Sequence, residues 1–131
     1  MKIATLIARF LLGLVFLVFG LNGFFHFIPM PPPTGTAGQF LGALFVSHAL
    51  VVIFLLQIAT GLLLLIDRFV PLALTLLAPI IFNILLFHIL MEPSGLPLAL
   101  VVTVLWFVVF ASVRSAFAGL WQARVAPQQP R

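Results

Sequence analysis

Cysteine is absent from all 131 residues, which excludes a disulfide framework, a dithiol redox centre and thiolate metal ligation. Tyrosine is absent too, removing one common hydroxyl donor for buried polar networks. Charge is scarce. Two acidic and six basic side chains make up 6% of the chain, against about 25% in soluble proteins.

What fills the chain instead is hydrocarbon: 64% of residues are apolar and the mean hydropathy is +1.36. That composition belongs to an integral membrane protein. Four apolar stretches, roughly Thr5 to Ile28, Gln39 to Ile66, Val70 to Met91 and Pro97 to Gly119, each meet the approximately 20 residues a helix needs to cross about 30 Å of hydrocarbon. Runs such as LALVVTVLWFVVFA are apolar on every side, whereas barrel strands alternate every second residue. The expected architecture is all-α, a single domain over residues 1–131 with four transmembrane helices in an up-down-up-down bundle. The first stretch exceeds the roughly 7–15 residues of a signal-peptide core and is expected to stay as a span.

Cations are distributed unevenly. Lys2 and Arg9 open the first helix, Arg68 lies in the second connection, and Arg114, Arg124 and Arg131 end the fourth helix. In an even-numbered bundle these regions share one membrane face, and the first and third connections carry no cation. The positive-inside rule makes that face cytoplasmic, with both termini inside. Membrane orientation accounts for the basic balance, and nucleic acid is not an expected partner.

The connections are short. PMPPPTGTAG, residues 29–38, cannot be helical through its prolines. In DRFVP, Asp67 is a candidate cap that also offsets Arg68, and Pro71 suits a first turn. EPSGLP offers Ser94 as a cap. Arg9, Gly13 and Gly20 fall within about 40° of one another on a helical wheel, a small-residue stripe for close helix approach. Gln57, Thr60 and Gly61 read as helix-helix glue. Pro79 should bend the third helix, and Trp121 fits an interfacial anchor.

NILLFHILMEP, residues 83–93, is the chemically suggestive stretch, an apolar helix interrupted by Asn83, His88 and Glu92. With Asn22 and His26 ending the first helix, and His48 about 14 Å below the outer start of the second, all three histidines and the glutamate fall in the outer half of the membrane. His26 follows Asn22, and Glu92 follows His88, by four residues, so each pair shares a face. Asn83 points about 140° away from His88 and reads as a partner for the carbonyl freed at the Pro79 bend.

Three readings compete for this set. His26, His48, His88 and Glu92 are metal-ligand types, and a bis-histidine haem is conceivable in a bundle, but no two histidines form a local pair on one helix. A quinone head group needs donors and a proton acceptor beside apolar walls near an interface, which His48, His88, Glu92, His26, Asn22 and Asn83 could supply. The third reading is that these groups satisfy water, headgroups or each other. Ionisable groups within membranes are costly and usually face an interior, which favours function for His48 and His88.

The segments ARFLLGLVFLVFGLNGFFHF, TGLLLLIDRFVPLALTLLAPIIFNILLFHILMEPSGLP and RSAFAGLW together resemble the DoxX-like membrane proteins, over almost the whole chain. Arg9, Gly13, Gly20 and Asn22, the Arg68 to Pro71 turn, then Pro79, Asn83 and His88 carry the likeness. The resemblance implies a four-helix bundle in a bacterial cytoplasmic membrane and a link to respiratory quinone chemistry, as an accessory or oxidoreductase subunit. It brings no established catalytic residue. The alternatives are a non-enzymatic assembly protein docking on a larger membrane partner and, with less polar lining to support it, a transporter or channel.

Overall fold

The computed structural model describes residues 2–128; Arg131, counted above among the cations, lies outside them. Five α-helices follow one another: α1 Lys2–Phe25, α2 Gly35–Val46, α3 Ala49–Leu65, α4 Val70–Leu90 and α5 Leu96–Val113. Short 3-10 turns precede and follow α5, at Pro93–Gly95 and Arg114–Trp121. No strand occurs among the described residues.

The expected second helix, 39–66, is two helices. α2 and α3 meet at Ser47 and His48 with a bend of 86°. The corner is made locally. Ser47 Oγ donates to the Leu44 carbonyl at 3.2 Å and accepts the Ala49 N–H at 3.4 Å, so it serves both helix ends. His48 turns the chain in the left-handed region, φ 64°. α1, α4 and α5 with its flanking turns are long and apolar enough to cross a membrane, and the bent pair makes a fourth span if counted as one.

Other boundaries also shift. α1 starts at Lys2 and stops at Phe25 because His26 adopts φ 54°. The α-helix expected to Gly119 ends at Val113 and continues as a 3-10 turn. Asp67 does not cap α4. Phe69 holds that position without a side-chain cap. Ser94 does not cap α5 either; Gly95 precedes it, and the Ser94 hydroxyl donates to Glu92 Oε1 at 2.9 Å.

α1 packs on α3 and α5, and α4 packs on the same two helices. The α1–α3 seam is built from glycine. A Cβ on Gly61 would lie 2.7 Å from the Gly13 carbonyl oxygen and from the Leu17 nitrogen, so only hydrogen fits between the backbones. Gly20 meets Ile58 and Gln57, and Gly23 meets the Phe54 ring. This antiparallel register, continued, carries His48 past Phe25 at the end of α1. Between the helices lies a core that includes Leu12, Phe16, Leu64, Leu74, Leu77 and Val109.

The α4–α5 seam is built differently. Pro79 lacks the N–H that the Thr75 carbonyl would receive, and its ring crowds that turn. Trp106 of α5 donates its indole N–H to the adjacent Leu74 carbonyl at 3.0 Å and stacks on Phe110 at 5.2 Å. Phe110 in turn meets Phe117.

Candidate functional site

Polar side chains gather at the two ends of the helices. The basic end joins the start of α1, the α3–α4 turn and the end of α5; the histidine end joins the others.

At the histidine end, Asn22 is buried, 6% exposed, and clasps the chain that leaves α1. Its Oδ1 accepts the Ile28 N–H at 2.6 Å and its Nδ2 donates to the Ile28 carbonyl at 3.4 Å. His26, inside that loop, is exposed. His48 is exposed at the α2–α3 corner, where the helix expected to run through it bends by 86°.

His88 and Glu92 do meet. His88 Nδ1 lies 2.8 Å from the Glu92 carbonyl oxygen. A carbonyl only accepts, so the proton sits on Nδ1 and a neutral ring keeps Nε2 as an acceptor. The ring is pressed against Gly95, where a Cβ would come within 2.1 Å of it. Phe87 stands edge-on at 5.0 Å, and Phe40 of α2 reaches Phe87 at 5.9 Å.

Asn83 is exposed on α4, and its Nδ2 donates to the Pro79 carbonyl at 2.9 Å. It binds the proline's own carbonyl, one turn beyond the Thr75 carbonyl that the ring deprives of a donor. Of the six residues singled out, then, His88 and Glu92 form a pair, Asn22 and His26 share the turn that ends α1, where the His26 backbone N–H donates to the Asn22 backbone carbonyl at 2.9 Å, and His48 and Asn83 each occupy separate surroundings. His26, His48, His88 and Glu92 do not converge as a ligand set, and among the described residues no three His, Cys, Asp or Glu are grouped to hold a metal ion.

The strongest polar cluster is at the basic end and was missed by sequence reasoning. Arg9 Nη1 donates to the Leu64 carbonyl and, at 3.4 Å, to that of Leu65. Arg9 Nε lies 3.7 Å from Asp67 Oδ1. A cation thus closes the carbonyl end of α3, where the helix dipole is negative. The available signal was the position of Arg9 on the same face as Gly13 and Gly20; the partner on α3 had no signature.

Two hollows open between helices. One of about 200 Å³ lies between α4 and α5, beside Ala78, Phe82, Thr103 and Trp106. The other, about 760 Å³, lies between α1 and α5 at the basic end, beside Lys2, Thr5, Phe107 and Ser112. Neither is lined by any of the six residues.

Comparison with protein-family models, curated proteins and solved structures finds no match to the chain.

Proposed function

We propose that the chain is a non-enzymatic membrane assembly protein that docks on a larger membrane partner through the outward face of α4. In this reading it is a DoxX-like protein of the bacterial cytoplasmic membrane. α1, α3, α4 and α5 are its four antiparallel spans, α2 lies along the outer boundary, and both termini are cytoplasmic.

The observation that carries the proposal is Asn83. It sits 13 residues into α4, about 20 Å from one end and about 10 Å from the other, at a depth occupied by hydrocarbon. Its one hydrogen bond to Pro79 leaves a second N–H and the Oδ1 facing outward. Thr75 and Pro79 share that exposed face, with the Thr75 carbonyl lacking its helical donor. Elsewhere the intramembrane hydroxyls of Thr60, Thr103 and Ser112 satisfy themselves on preceding carbonyls. Lipid offers an amide no partner, whereas a neighbouring helix does, for roughly 1 kcal/mol.

Affinity purification from native membranes tests this. Wild type should retain a larger protein in fixed stoichiometry, and Asn83→Leu should weaken its retention about fivefold, the equivalent of roughly 1 kcal/mol. Equal retention by the variant, or recovery of nothing but the chain itself, would sink the proposal.

A quinone-linked accessory or redox subunit is the second reading, favoured by one feature. His88 is held by Glu92 and Gly95 with Nε2 free to accept a quinol hydroxyl, beside Phe87 and Phe40. Binding of a quinone analogue to purified protein, lost in His88→Ala, would favour it.

A further inference from the structure

We infer that the cleft between α1 and α5 at the basic end is a binding site for an anionic phospholipid, independent of the docking face on α4. The cleft arises because α1 is committed to α3. Glycines draw α1 against α3 along its length, and Arg9 ties the same helix to the end of α3. α5 packs on both α1 and α4, but among the described residues its one side-chain hydrogen bond to another helix goes to α4, through Trp106. Near their basic ends α1 and α5 are left with about 760 Å³ between them.

Its lining has two parts. Small residues, Ala4, Thr5, Ala111 and Ser112, leave the space, and Phe107 gives it an apolar wall. Lys2 is the sole charged residue along it. α5 ends one residue after Ser112, so Arg114 follows immediately at the same end and is exposed. Among the described residues neither Lys2 nor Arg114 has a carboxylate within ion-pair range, and Asp67 faces Arg9 on another seam.

An apolar slot lined by one cation, Lys2, with a second, Arg114, exposed at the same end of the bundle, fits a ligand with a hydrocarbon chain and a negatively charged head. A zwitterionic lipid would supply the chain but place its own ammonium near Lys2. Inorganic phosphate would supply the charge but leave the slot empty. Basic residues at a membrane surface attract anionic headgroups, and both parts acting together define the occupant.

The test uses the full chain in detergent. Phosphatidylglycerol, phosphatidylcholine and inorganic phosphate are each titrated, with lipid adducts counted by native mass spectrometry. Phosphatidylglycerol should remain bound at energies that strip phosphatidylcholine, and inorganic phosphate should not displace it. Lys2→Gln with Arg114→Gln should reduce retention at least fivefold, a surface change that leaves the core intact. Ala111→Phe, filling the slot, should abolish retention while helicity by circular dichroism is unchanged. Equal retention of the two lipids, displacement by phosphate alone, or full retention in the charge variant would overturn the inference. If Ala111→Phe does not fold, the charge variant decides.

Discussion

The α1–α3 seam and the α4–α5 seam hold the same kind of apolar helices together by opposite means. In the first, side chains are removed until backbones touch, with Gly13 against Gly61, and a charged side chain spans the interface. In the second, a proline disturbs one helix and a large aromatic residue fills in with its ring and its N–H. Within lipid no hydrophobic force favours one helix contact over another, so packing and hydrogen bonds decide. A backbone contact tolerates no added atom, whereas an aromatic contact tolerates a smaller ring. The two seams should therefore differ most under substitution.

The largest effect is expected at Gly61. Gly61→Leu drives a side chain into the Gly13 carbonyl and Leu17 backbone, neither of which can move independently of its helix. Overpacking of this kind costs about 3 kcal/mol or more, and thermal unfolding in micelles should show a large fall in Tm or no folded protein. A near-neutral result would mean that the two helices do not meet as closely as described.

Arg9→Leu comes next. It removes the donor from the Leu64 and Leu65 carbonyls and the counter-charge from Asp67. Hydrogen bonds to charged groups are worth about 1.5–3 kcal/mol, so a loss of roughly 2 kcal/mol is expected. Asp67→Asn should cost well under 1 kcal/mol, because that carboxylate is 64% exposed and screened. Equal losses for both variants would show that the ion pair, not the helix-end carbonyls, is what Arg9 serves.

The same contrast explains which features the sequence made legible. The span of α4 and the glycine face of α1 are local patterns of length and period, and α4 is observed at Val70–Leu90 against an expected 70–91. The α2–α3 corner is not such a pattern. Ser47 and His48 are flanked by Phe45, Val46, Ala49 and Leu50, so a hydropathy average passes over the break. The chain turns there without glycine or proline. His26, His48, Asp67 and Phe69 all take positive φ at helix boundaries; His and Asp are enriched in that region but adopt it in only a minority of cases, and Phe69 carries no such signal. With His48 at a corner and not inside one continuous helix, counting residues from the start of that helix does not give its position. His88 and Glu92 meet because they are close in sequence, but not as one helix face: α4 ends at Leu90, the Glu92 backbone carbonyl receives the imidazole, and the Glu92 carboxylate accepts from Ser94.

Trp106→Phe probes the second seam and should cost about 1 kcal/mol, the usual worth of one neutral hydrogen bond. A phenyl ring can keep stacking on Phe110 and gives up the N–H to Leu74 together with part of the indole's contact area. A loss as large as that at Gly61 would mean that the indole is as sterically committed as the glycines, and the distinction between the seams would fall.

The smallest effect on stability is expected from Asn83→Leu, and its smallness is informative. Asn83 belongs to neither seam. Its single bond returns to its own helix at Pro79, and the residue faces away from α3 and α5. For the isolated chain the change should lie within about 0.5 kcal/mol, as for surface substitutions that break no internal contact, with a shift toward stability where lipid or detergent surrounds the face. If the amide is instead internal glue, unfolding in micelles will show a loss comparable to Trp106→Phe. A stable variant that fails to hold its partner in native membranes would separate folding from docking at a single side chain, which neither seam permits.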